Sequence, residues 1–170
     1  MMTEDLKVRF LRLAIIEQKK YDEIGEILKI TKKDISRYWE DLKEEREHLS
    51  NIRKIWKVKY NNPETTETFW DFKKWYDSVE RKCYYCGITE TEIEQLWKKE
   101  QTKNKALTER NRGKKLEIER LSPKEPYHKI DNLVLSCYWC NNAKTDTFTA
   151  EEFKEIGETI GKIWKKRLTE

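Results

Sequence analysis

The chain has 170 residues, 40% of them charged and 36% hydrophobic, with a formal net charge of +4. That length allows one compact domain or two small ones, and so little apolar surface limits the core that can form without a staple such as a metal ion. No apolar run reaches membrane-spanning length, and the acidic start Met1-Met2-Thr3-Glu4-Asp5 lacks a signal-peptide pattern, so the expectation is a cytoplasmic, intracellular protein with no membrane partner and reduced thiols.

Leu6, Phe10, Leu13 and Ile16 recur at helical spacing, widened by Leu11 and Ile15, and predict a helix over 4–18. A short helix is expected from about Tyr21 to Leu28. A third begins after Thr31, which with Asp34 suits a capping box. Ile24, Ile27, Leu28, Ile30 and Ile35 supply the contacts of a tight corner, and Gly25 allows close packing.

The stretch Ile24-Gly25-Glu26-Ile27-Leu28-Lys29-Ile30-Thr31-Lys32-Lys33-Asp34-Ile35-Ser36-Arg37-Tyr38-Trp39 resembles a helix-turn-helix, with Lys29 where that motif often has Gly. A Lys can adopt the left-handed conformation at modest cost. The resemblance implies that the second helix enters the major groove of DNA N-terminus first. Lys32, Lys33, Ser36 and Arg37 would then face DNA, through phosphates and, for Arg37, guanine edges. The alternative is a helical corner used only for packing.

The third helix is expected to run on past Trp39, through a charge-dense segment with i,i+4 pairs, with Leu49, Ile52, Ile55 and Trp56 on its apolar side. His48 reads as a surface residue. Tyr60-Asn61-Asn62-Pro63 is the clearest breaker, dividing the chain into a helical module at 1–60 and a second at 64–170. A helix should follow from about Phe69 to Arg81, capped by Thr68 and Asp71. Its buried stripe is Phe69, Phe72, Tyr76 and Val79, flanked by Trp70 and Trp75, and this cluster reads as core more readily than as a base-stacking surface.

Cys83-Tyr84-Tyr85-Cys86 comes next. Thr89 and Glu92 mark a further helix start, with Ile93, Leu96 and Trp97 facing inward. From Lys98 to Arg112 the chain is polar and basic. With Lys114 and Lys115 this segment is a candidate phosphate-tracking surface, or an ordinary solvated loop. Gly113 turns the chain into a hairpin of Leu116–Leu121 and Asp131–Leu135. Cys137-Tyr138-Trp139-Cys140-Asn141-Asn142-Ala143-Lys144 follows, and Thr149 with Glu152 opens a last helix whose inner stripe is Phe153, Ile156, Ile160 and Trp164.

All four cysteines fall into the two C-x2-C pairs. Two such pairs complete a tetrahedral thiolate site, so Cys83, Cys86, Cys137 and Cys140 are expected to hold one structural Zn2+ with no open position.

The order of parts also resembles the HNH nuclease family in its zinc-stapled form: Cys pair, acidic strand, Asn-Leu-Val-Leu strand, second Cys pair, then Asn and Lys. The resemblance covers roughly residues 80–155. It implies a ββα-metal unit, and hence a mostly α protein with one small hairpin, of α+β class. It also implies a DNA-binding endonuclease that hydrolyses phosphodiester bonds with a divalent metal, Mg2+ or Mn2+. Glu119, at the end of the first strand, would be a metal ligand. Arg120 stands where the family has its His base. A guanidinium cannot act as a base, but acid-Arg resembles a subset of phage and bacterial HNH-like proteins, in which Arg would grip the scissile phosphate or stabilise transition-state charge. If phage-encoded, the protein would work in the host cytoplasm. Asn132 would brace the loop between the strands, Asn141 would be the second metal ligand or face phosphate, and Lys144 would face phosphate, with Asp146 orienting it or Asn142.

His128 is the one histidine in this module. It is open as a replacement base, a DNA-contacting loop residue or a structural histidine. Tyr127 is a further base candidate. Glu117 lies on the same strand face as Glu119, as an added ligand, a base or a surface acid. A catalytically inert DNA-binding regulator or assembly factor is the alternative function, and a homodimer is possible.

Overall fold

The computed structural model describes residues 2–60, 67–102, 107–108 and 111–170. The chain is mostly α-helical with one antiparallel two-stranded sheet, the expected α+β class. It divides into two compact units, Met1–Tyr76 and Asp77–Glu170. No helix among the described residues is long and apolar enough to cross a membrane.

In the first unit, α1 spans Glu4–Leu11, with the Thr3 hydroxyl accepting from the Leu6 amide. The continuous helix expected to residue 18 is replaced after Leu11 by a π-helical turn, Arg12–Ile16. The wider turn brings Leu13, Ile15 and Ile16 into the core alongside Phe10 and Leu11, more than one α-helical stripe accommodates. Arg53 closes its end by donating to the Ile16 carbonyl and to Gln18 Oε1.

Helices α2 (Tyr21–Leu28) and α3 (Lys32–Asp41) meet at Lys29, which adopts the left-handed conformation at φ 55°, ψ 46°. Thr31 and Asp34 form the expected capping box. The expected continuation of α3 does not occur. The helix ends at the buried Leu42, and α4 (Lys43–Tyr60) starts anew. Arg46 sustains the break: its Nε donates to the Trp39 carbonyl at 2.7 Å and its guanidinium lies 3.9 Å over the Trp39 ring, satisfying an orphan carbonyl of the helix end. Helix α5 runs over Glu67–Ser78, shorter than expected at its C-terminal end. Its Phe69 packs edge-on against Trp56 of α4 at 5.4 Å. The expected break at 61–63 and the side chain of Thr68 lie outside the described residues.

The second unit contains α6 (Glu90–Thr102), β1 (Glu117–Arg120), β2 (Leu133–Ser136), α7 (Tyr138–Lys144) and α8 (Ala150–Thr169). Strands β1 and β2 pair antiparallel, Glu117 opposite Ser136 and Arg120 opposite Leu133. The Thr89–Glu92 and Thr149–Glu152 caps form as expected. On α8 the inner stripe differs from expectation. Phe153 and Trp164 are buried, but Ile156 is 39% exposed. The contact line passes instead through Gly157 and Gly161, which lie against the backbone of Tyr85 and Cys86. Lys99 of α6 caps the far end of α8, its Nζ donating to the Arg167 and Leu168 carbonyls.

Thr145, directly after α7, has φ 52° and ψ −145°, a conformation that a β-branched residue adopts only under strain. Its hydroxyl donates to the Lys144 carbonyl at 2.7 Å. Thr145→Gly is expected to stabilise the protein by about 1 kcal/mol, the strain released exceeding the extra chain entropy of Gly. A thermal melt that moves down rather than up contradicts this.

Candidate active site and metal centre

The first cysteine pair sits on a tight turn. Gly87, at φ 73°, lets its amide reach the Cys83 carbonyl at 2.9 Å, and the Cys83 amide donates to Ile88. The Tyr84 amide donates to the Leu135 carbonyl, which joins this turn to β2. The second pair opens α7: Cys137 is its N-cap, and its sulfur accepts from the Cys140 amide. The four sulfurs are buried and lie within 4.8 Å of one another, with Cys86 Sγ 3.6 Å from Cys137 Sγ. A tetrahedral ion with metal–sulfur bonds of about 2.3 Å sets its sulfurs roughly 3.8 Å apart, so the cluster fits a structural metal ion. Its internal contacts are uneven. Hydrogen bonds from Cys137, Cys140 and Cys86 pull the Cys83 thiol far below its usual range. Contacts with Cys137, Cys83 and Cys86 push Cys140 far above it. Burial and crowding oppose four simultaneous thiolates, a cost that a bound cation removes.

Beside this cluster, β1 lies against α7. Side chains two apart on a strand share a face, and side chains three apart on a helix share another. Glu117 and Glu119 therefore meet Asn141 and Lys144 as two pairs. Asn141 Nδ2 donates to Glu117 Oε2 at 2.7 Å. Lys144 Nζ lies 3.4 Å from Glu119 Oε1 and 3.4 Å from the Arg120 carbonyl oxygen. Glu119 is 8% exposed and Lys144 is 0% exposed. The expected phosphate-facing Lys144 is thus corrected: its ammonium is sealed inside, held by the carboxylate it neutralises. Burying a lone carboxylate is costly, and the ammonium offsets that cost. The signal was present in the sequence as two i,i+2 acids set against an i,i+3 Asn and Lys, but only the strand–helix contact pairs them.

Asn132 closes the loop between the strands. Its Oδ1 accepts from the Ser122 amide at 2.8 Å and its Nδ2 donates to the Ser122 carbonyl at 3.0 Å. Arg120 turns back onto the same loop, Nη1 donating to the Glu125 carbonyl at 3.1 Å and the guanidinium lying 4.5 Å from the Tyr127 ring centre. His128 is exposed in that loop. Asn142 bonds the Tyr138 carbonyl rather than Asp146. Asp146, Phe148 and Lys124 line an open cavity of about 410 Å³ between the loop after β1 and the start of α8. Burial, and after it the charge of Glu119, raises the Tyr85 hydroxyl above its usual range. That hydroxyl has no hydrogen-bond partner among the described residues.

Apart from Lys144, the basic residues expected to meet DNA are exposed. Lys32 pairs with Asp22, Arg37 pairs with Asp34, and the Ser36 hydroxyl turns back to the Lys32 carbonyl. Lys33 and Lys115 are exposed, and Lys114 sets its ammonium 5.1 Å from the Trp97 ring centre. Residues 103–106 and 109–110 of the basic segment lie outside the described residues.

No protein-family model matches the chain, and no curated protein matches it. Among solved structures the chain is similar to the rare-cutting HNH restriction endonuclease PacI, reported for its mechanism of DNA perturbation. The two are 29% identical, the match covers 68% of this chain and 80% of that one, and the TM-score is 0.52. This likeness supports the HNH endonuclease family for this chain, in line with the resemblance carried by the order of its motifs.

Proposed function

With the HNH endonuclease family as the premise, we propose that the chain is a DNA-binding HNH-type endonuclease that hydrolyses phosphodiester bonds with a divalent metal ion. The observation that supports the reading is the packing of β1 against α7, where Asn141 meets Glu117 and Lys144 meets Glu119, beside a closed cluster of four cysteines. Zn2+ is the ion that four thiolates suit, and with no ligand position left open its role is structural. Glu119 and Asn141 would hold Mg2+ or Mn2+ through oxygen. Glu117 supports this by engaging the Asn141 amide nitrogen, which directs the side-chain oxygen elsewhere. When bound, such an ion stabilises charge on the phosphate and on the leaving oxygen.

Arg120 grips the scissile phosphate or stabilises transition-state charge. His128, exposed in the adjoining loop, is the candidate base that takes a proton from water, with Tyr127 as the next candidate. Glu117 is less suited, being engaged with Asn141. Asn132 holds the loop that carries these groups. Residues 64–170 form the nuclease module, with Lys114 and Lys115 on phosphate. Residues 1–60 form a helix-turn-helix-like module that meets DNA through Lys32, Lys33, Ser36 and Arg37. The protein works inside the cell, and pairing of two copies would let it cut both strands.

The test is nicking of plasmid DNA by the purified, zinc-loaded full chain with Mg2+ or Mn2+. Cleavage is expected, lost in Glu119→Ala, and reduced in Arg120→Ala and His128→Ala. A fully zinc-loaded protein that cuts no DNA with either metal would sink the reading. The hold of Glu125 and Tyr127 on Arg120 favours a second reading, a catalytically inert DNA-binding regulator or assembly factor. It predicts salt-dependent DNA binding that all three variants retain, with no cleavage in any.

A further inference from the structure

Lys144 is a fully buried cation, and its place is specific. Its ammonium lies 3.4 Å from Glu119 Oε1 and 3.4 Å from the Arg120 carbonyl oxygen, on the face of α7 that also carries Asn141. Glu119 is nearly as buried. The ammonium therefore sits on the carboxylate that the proposed reading gives to a divalent cation. A fixed positive charge and an incoming cation repel one another. In a site removed from bulk water that repulsion is screened only weakly by solvent or salt. Thr145 ends the helix directly after Lys144 in its strained backbone conformation, so the turn that carries the ammonium stops at a defined point.

We propose that Lys144 is a resident counter-ion of Glu119, a positioning residue whose charge holds the site's affinity for a divalent cation low when no substrate is present. This inference rests on the active-site reading above. Its physical content is competition: the ammonium satisfies the buried carboxylate in the resting protein, and a metal ion must overcome that charge to bind. Substrate phosphate, by adding negative charge beside the pair, would shift the balance toward the metal.

The test is a Mn2+ titration of the zinc-loaded full chain without DNA, following free Mn2+ by electron paramagnetic resonance. Wild type is compared with K144M, K144Q, K144R and E119Q. K144M and K144Q are expected to bind Mn2+ at least tenfold more tightly than wild type. K144R should stay near wild type, and E119Q should abolish the gain when combined with K144Q. Equal or weaker binding in K144M and K144Q, still dependent on Glu119, overturns the inference and leaves the nuclease reading standing. Absence of any Glu119-dependent Mn2+ binding overturns both. If the neutral variants lose their fold, saturating Mn2+ should restore the melting transition in them and not in the E119Q background; no such rescue also overturns the inference.

Discussion

Removing the metal from the cysteine cluster is expected to unfold residues 77–170. Replacing Cys140 with Ser should have the same effect. The cluster lies at the centre of the second unit's core: Cys83, Cys86, Cys137 and Cys140 are packed with Tyr85, Ile93, Leu96, Trp97, Phe153 and Trp164. The two cysteine pairs come from distant parts of the chain, one joined to β2 through the Tyr84 amide and the other opening α7. Cys83 Sγ also lies 3.8 Å from Ser136 Oγ on β2. Structural zinc supplies on the order of 10 kcal/mol of apparent folding free energy in small metal-dependent domains. That is about the whole net stability of an ordinary domain. Four crowded, buried thiols without an ion cannot replace it. The measurement is near-ultraviolet circular dichroism across a thermal melt, with and without a strong chelator. Trp97, Trp139 and Trp164 report on this unit. An unchanged melt after verified loss of the metal would remove the staple from the account.

Gly161→Ala is expected to destabilise the same unit by about 3 kcal/mol, the upper part of the usual range for overpacking. A Cβ at Gly161 would lie 2.4 Å from the Cys86 carbonyl oxygen, and one at Gly157 would lie 2.7 Å from Tyr85 Cβ and 2.8 Å from the Tyr85 carbonyl oxygen. Both glycines let α8 rest directly on the first cysteine turn. The obstructing atoms are backbone, or a Cβ whose place the backbone fixes, so they cannot rotate aside. In an open helix the same change would help, because Ala is favoured over Gly by about 1 kcal/mol. The sign of the effect therefore decides the point. Loss of stability together with weaker metal retention would place α8 as a clamp on the turn, and a rise in melting temperature would refute it. Ile163→Ala, at an exposed position of the same helix, serves as control and should shift stability by no more than about 0.5 kcal/mol.

Much of this architecture was legible without coordinates. Helix starts follow from local chemistry, and Thr31 with Asp34, Thr89 with Glu92 and Thr149 with Glu152 each cap as their spacing implies. The cysteine site follows from two C-x2-C turns, since each turn by itself presents two sulfurs to one point. Asn132 braces its loop as expected. Helix ends were less legible. The stop at Leu42 depends on Arg46 reaching back to Trp39, and the π turn at Arg12–Ile16 depends on how many side chains the core admits. Neither is a property of the local segment.

The sequence by itself determined the caps and the sulfur cluster, because each rests on residues close together in the chain or on side-chain chemistry with few alternatives, and its resemblance to the HNH family implied the hairpin and an acidic strand that works with Asn141. Only the tertiary structure decided that Lys144 turns inward onto Glu119, that Glu117 engages Asn141, and that two glycines of α8 meet the first cysteine turn. Those outcomes depend on which faces of a strand and a helix are pressed together. Periodicity shows that a face exists; the packed chain selects what it meets, and burial then makes an ammonium seek a carboxylate rather than solvent.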